Sequence, residues 1–130
     1  MPERIDQGLA RAAAEALRDQ VVHDELRTRL RGLPAMLQTS GLAATCAFLL
    51  AKAKDHNRTD AYWLTAKTLL DEAAGAVGID PNPDPNVTLD TLSRATGLQY
   101  VMAETRAAML ALWLSRLAQA KATAQKENRT

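Results

Sequence analysis

The sequence predicts an all-α fold: a compact bundle of about five to six helices, with a central small-residue helix and a long C-terminal helix. Three observations predict it. Alanine and leucine dominate and arginine is frequent, and all are good helix formers. Apolar residues recur every three or four positions, and strand-like alternation is absent. Residues 33–54, LPAMLQTSGLAATCAFLLAKAK, carry no charge until Lys52 and Lys54, as a helix leaving a protein interior would. A chain of 130 residues with 47% hydrophobic and 24% charged side chains is expected to form one domain over 1–130, with a core that needs no staples.

The elements follow in order. Pro2 suits a first helical turn, and Ile5, Leu9, Ala13 and Leu17 recur every four residues, giving a helix over about 3–19. Val22, Leu26, Leu30, Leu33 and Leu37 form the next stripe, with Pro34 inside it, so this helix kinks or restarts there. Ser40 is placed to cap the third helix, and Gly41 permits close approach. On that helix Leu42, Cys46, Leu49 and Ala53 share one face while Phe48 points elsewhere, so it is apolar all round. Thr59 or Asp60 caps a fourth helix, lined by Tyr62, Ala66, Leu69, Ala73 and Val77 with Trp63 and Leu70 beside them. GIDPNPDPNV, residues 78–87, holds three prolines and no period, which marks an exposed loop. Thr88 opens a short helix to about Arg94, and Thr96-Gly97 breaks it. The last helix starts near Leu98 and runs beyond Ala120. Its main apolar stripe is Leu98, Val101, Met102, Thr105, Met109, Leu112 and Trp113, with Leu110, Leu114 and Leu117 as a second buried side. The polar tail over 123–130 is expected to fray.

Composition narrows the setting. One cysteine, Cys46, excludes an intramolecular disulfide and fits a reducing compartment. No secretory pattern opens the chain and no apolar run reads as membrane-spanning, so a cytoplasmic protein is expected. Net charge is +1, unevenly spread. Residues 18–58 carry +3 and residues 101–130 carry +3, while residues 59–100 carry −4. Two mildly basic stretches around an acidic one suggest a polyanion partner on one side and something else on the other.

Catalytic parts are scarce. His23 and His56 are the only histidines, and each reads as a surface residue at a helix end. Cys46 lies among apolar neighbours, which raises a thiol pKa, so it reads as structural. Asp80 and Asp84 lack the ligand count of a calcium loop. No Gly-rich phosphate loop exists. Neither an enzyme nor a cofactor nor a metal is therefore expected. The basic residues offer more. Arg27 and Arg31 share a helix flank, and Lys52, Lys54 and Arg58 cluster at the exit of the central helix. Arg116 falls by helical angle on the line of Leu98 and Met109, where it either pairs with an acid, snorkels to the edge or serves an interface. Lys67 and Lys121 are weaker candidates for the same surface. As a set these cations could follow a phosphate backbone. Phe48, Tyr62, Trp63, Tyr100 and Trp113 all sit on apolar faces and read as core, which leaves no stacking platform for bases.

Leu33-Pro34, Gly41-Leu42 and Ala47-Phe48-Leu49 ending at Lys52 form one block of motifs. Tyr100, Thr105 and Trp113-Leu114-Ser115-Arg116-Leu117-Ala118 form a second. In order and spacing these resemble the small helical subunit of type III-B CRISPR effector complexes, the Cmr small-subunit family. Ser40 stands where that family often has asparagine, and Ser115 where it often has lysine, which thins the late basic patch. The resemblance implies a non-catalytic subunit of an antiviral ribonucleoprotein. Such subunits stack head to tail into an inner filament beside the backbone subunits, lining the groove where guide RNA pairs with target RNA. The implied partners are copies of itself, other subunits of the complex, guide RNA and target RNA, with no membrane and no small-molecule substrate. Arg27, Arg31, Lys52, Lys54, Arg58 and Arg116 are then the expected RNA-phosphate contacts. Two other classes compete. A helical DNA-binding regulator would need polar base readers on its second short helix, which the uncharged central helix lacks. A pure protein–protein adaptor would use no nucleic acid at all.

Overall fold

A computed structural model describes residues 4–129, with side chains for residues 4–127. Five helices follow one another among them: α1 (Ile5–Leu17), α2 (Asp24–Lys52), α3 (Ala61–Ala76), α4 (Pro85–Ser93) and α5 (Gly97–Arg129). No strand occurs among the described residues, so the all-α expectation holds. The expected helical start at Pro2 and Glu3 lies outside them.

The second and third helices of the sequence reading are the two arms of α2. Gly41 alone leaves helical geometry, at φ 88° and ψ 170°, a conformation that side chains with a Cβ resist. The chain therefore doubles back at Gly41, into arms 24–40 and 42–52. Residues 25 and 52 would stand about 40 Å apart on a straight helix, yet Lys52 Nζ lies 3.0 Å from Glu25 Oε1. Pro34 does not break the helix; Gly41 does. By composition and length α2 passes as a membrane span, with an 18-residue window of mean hydropathy 1.4, contrary to the sequence reading. Folded at Gly41 it offers no straight apolar cylinder, and its leucines, Leu26, Leu30, Leu33, Leu42 and Leu49, are buried in the bundle.

The second arm is capped from a distance. Leu42 N donates to Glu104 Oε2 at 2.8 Å and Ala43 N donates to Tyr100 Oη at 2.9 Å. These α5 side chains, not Ser40, satisfy the freed amides at the turn. At the start of α3 the cap is local. Asp60 Oδ1 accepts from Tyr62 N and Trp63 N, and Oδ2 accepts from Lys54 N and Asp55 N at 2.8 and 3.1 Å. Burial works to raise the Asp60 pKa, but the four amide donors outweigh it and hold the carboxyl below its usual range. The proline-rich segment is tied down by Asn82 N donating to Thr88 Oγ1 at 2.9 Å, and Asp84 caps α4 with Pro85 in its first turn.

The interior is built around α5, which packs against α1, α2 and α3. Its inward face is Ala103, Ala107, Leu110, Ala111, Leu114, Ala118 and Ala122, all buried. The stripe expected to be its main core face is exposed instead: Leu98, Val101, Met102, Met109 and Leu112 range from 38% to 73% accessible. Three helices converge on α5, and the space between their backbones admits mostly alanine, so the bulkier stripe is turned outward. Leu110 and Leu114, expected on the second side, form the true core face, with Leu117 half-buried. The helix continues past Thr123, where Gln125 accepts from Val22 N at 3.1 Å and donates to Val22 O at 3.2 Å.

Candidate functional site

The six basic residues singled out by the sequence separate into two groups. Arg27 and Arg31 lie four apart on the first arm of α2, half-buried and exposed respectively. Gln119 Nε2 donates to Arg27 O at 3.2 Å, while Glu104 reaches Leu42 N. That register runs α5 antiparallel to the arm and brings the 112–116 segment beside Arg31. Arg116 is exposed there and makes no ion pair with a described residue, which removes the structural-pair reading. Arg27 and Arg31 likewise have no acidic partner among the described residues. The arm and α5 enclose a groove of about 420 Å³ lined by Pro34, Leu37, Gln38, Thr105 and Leu112, among others.

The second group lies at the end of α2. Lys52 is held by Glu25 and stands 5.5 Å from the Tyr62 ring centre, so its charge is largely committed. Lys52 first, and the Tyr62 hydroxyl second, hold the Glu25 carboxyl below its usual pKa. Burial, followed by Glu25, pushes the Tyr62 hydroxyl up to about 12. Lys54 is exposed with no acidic partner among the described residues, and shares with Lys52 and His23 a cleft of about 620 Å³. Arg58 borders a different cavity, between α1 and α3, with Glu15, Lys67, Asp71 and Glu72 around it. The two weaker candidates are structural. Lys67 pairs with Asp71 at 2.8 Å, and Lys121 donates to the carbonyls of Leu17 and Arg18, closing the C-terminus of α1.

The acidic stretch is also largely spent within the fold. Asp60 and Asp84 are caps, Asp71 holds Lys67, Glu72 meets Arg106 at 3.4 Å and Asp90 meets Arg94 at 3.1 Å. His23 caps α2 by accepting from Leu26 N at 3.2 Å, and so does sit at a helix end. Cys46 is fully buried, and burial pushes its thiol up to about 12. Among the described residues no three His, Cys, Asp or Glu side chains converge to hold a metal.

One aromatic expectation fails. Phe48 is 39% exposed rather than core, with the Arg29 guanidinium 4.8 Å from its ring centre. The turn at Gly41 aims it across the hairpin, where arginine covers one ring face. Trp63 is buried; Tyr62, Tyr100 and Trp113 are partly so. The sequence reading also missed Glu104 and Tyr100 as caps and the outward apolar stripe as surface. The recurrence of alanine at 103, 107, 111, 118 and 122 is the signal that could have located the inward face of α5.

No curated protein and no solved structure matches the chain. Residues 5–121 match the family model described as CRISPR-associated protein (Cas_Cmr5). With nearly the whole chain matched and an all-helical bundle to carry the match, the protein belongs to the Cas_Cmr5 family, the small subunits of type III-B CRISPR complexes.

Proposed function

We propose that the chain is a non-catalytic structural subunit of a type III-B CRISPR ribonucleoprotein, working in the cytoplasm. It stacks into an inner filament lining the groove in which guide and target RNA pair, and it contacts phosphate rather than bases. Base pairing then reads sequence, and protein supplies charge and shape. The supporting observation is a set of cations with no ion pair among the described residues, in a fold that pairs most of its others: Arg27 and Arg31 on one flank and Lys54 by the α2–α3 turn, with Arg58 nearby at a cavity it shares with Glu15, Asp71 and Glu72. Of the expected contacts, Lys52 is the weakest, being held by Glu25, and Arg116 belongs with the apolar stripe it terminates.

The test is target-RNA capture by the assembled complex over a salt series. Arg27→Gln with Arg31→Gln is expected to weaken capture and to flatten its dependence on log salt by roughly 0.7–0.9 for each phosphate no longer neutralised. A capture curve that superimposes on the parent at every salt concentration overturns the assignment of these arginines. The same measurement on Lys54→Gln with Arg58→Gln decides whether the second group also reaches RNA.

A further inference from the structure

Glu25 stands between two clefts of the α2 hairpin. With His23, Lys52, Lys54 and Tyr62 it lines the cleft of about 620 Å³ at the end of α2. With Thr28, Arg29 and Gly32 it lines another, of about 390 Å³, along the first arm. Its carboxylate faces the larger cleft. Glu25 Oε1 takes both Lys52 Nζ, at 3.0 Å, and the donor Tyr62 Oη, at 3.1 Å. One oxygen receiving an ammonium and a hydroxyl is the arrangement a phosphate oxygen would adopt there. The carboxylate thus fills the position in which Lys52 would meet a polyanion.

Helix geometry offers Glu25 a different partner. Arg29 is four residues on, one turn along the same face, and an acid placed N-terminal to a base at this spacing is the favoured order for a pair. That pair is not formed. The Arg29 guanidinium instead lies 4.8 Å from the Phe48 ring centre, with no acidic partner among the described residues. Its Nε is buried without a hydrogen-bond acceptor. Glu25 therefore has one partner across the hairpin and a second, unused, on its own helix. The side chains of Glu25 and Lys52 are 59% and 32% exposed, so their pair is solvated, screened by salt and readily exchanged.

We infer that Glu25 is a two-position mask over Lys52, covering the lysine in the free chain and turning back to Arg29 when phosphate competes for it. The exchange keeps the Glu25 charge paired, satisfies Arg29 and adds a contact to RNA. The mask withholds Lys52 from a stray polyanion that offers a single phosphate. It yields the lysine where neighbouring phosphates are already held and their effective concentration is high. This rests on the proposed phosphate contacts and states how one of them is regulated.

Target-RNA capture by the assembled complex, over the same salt series, tests the mask with three variants. Lys52→Gln is expected to flatten the dependence on log salt by roughly 0.7–0.9, as loss of a phosphate contact does. Glu25→Gln keeps an acceptor for Tyr62 Oη and removes the competing charge. It should tighten capture about two- to fivefold at unchanged slope, the range an exposed ion pair commands. Arg29→Met removes the alternative partner. It should weaken capture about two- to fivefold in the parent and have no effect beside Glu25→Gln. Circular dichroism checks that each variant is folded. An Arg29→Met loss that persists beside Glu25→Gln would make Arg29 a direct RNA contact and overturn the proposal. So would a Glu25→Gln complex that captures no better than the parent, or a Lys52→Gln slope equal to the parent's. Arg27→Gln with Arg31→Gln reads the phosphate surface independently. If that variant weakens capture while these three are silent, the mask fails and the phosphate reading stands. If it is silent while these three behave as expected, the mask stands and the assignment of those arginines fails.

Discussion

Face for face, α5 is apolar twice over. Inward it presents Ala103, Ala107, Leu110, Ala111, Leu114 and Ala118; outward it presents Leu98, Val101, Met102, Met109 and Leu112. The outward face carries the larger side chains, and hydrophobicity alone would bury it. Three helices nevertheless close on the smaller face. In a crowded bundle, backbone approach and dense packing outweigh the extra transfer energy of bulky side chains. The excess apolar surface is then left outside, where it is available to a partner. Side-chain size, rather than apolarity, divides what holds this molecule together from what it offers to others.

The largest effects should come from breaking the inward face. Leu114→Ala is expected to cost about 2–5 kcal/mol in urea-unfolding experiments, through reduced burial and a cavity. Ala107→Leu, which adds apolar bulk to the same face, should destabilise by roughly 1–3 kcal/mol; a neutral or stabilising result would refute the claim that close approach sets this face.

A smaller effect sharpens the contrast between long-range and local control. Glu104→Ala leaves the Leu42 amide without its acceptor and should cost about 1–3 kcal/mol. Ser40→Ala, at the position the sequence nominates for the cap, should stay within about 0.5 kcal/mol. Equal midpoints for the two variants in chemical denaturation would return the cap to Ser40. The smallest stability effect belongs to the outward face. Leu112→Ser is expected to shift unfolding by no more than about 0.5 kcal/mol, while lowering incorporation of the subunit into the assembled complex, as read by co-purification. Normal incorporation would show that this part of the stripe is idle.

Much of the molecule is legible in the order of its residues. The helical stretches, the Asp60 cap, the helix start near Ser40–Gly41 and the buried Cys46 all follow from local signals, and the family blocks span both α2 and α5. The candidate surface is less legible. Lys52, Lys67 and Lys121 look alike in sequence to Lys54, yet they are bound to Glu25, to Asp71 and to the end of α1. Phe48 reads as core by its neighbours and is surface because the hairpin turns it toward Arg29.

By itself the amino-acid order determined that this chain is helical, roughly where its helices begin, and that a fresh helix starts at Ser40–Gly41. Those properties depend on backbone freedom and on residues within a turn or two of each other. Tertiary structure alone decided that the chain reverses at Gly41 rather than kinking at Pro34, and which face of α5 lies inside. It also decided that Glu104 and Tyr100 cap an arm some sixty residues earlier, and which cations stay unpaired. Those outcomes depend on distances between residues remote in the chain, and such distances exist only once the helices have packed.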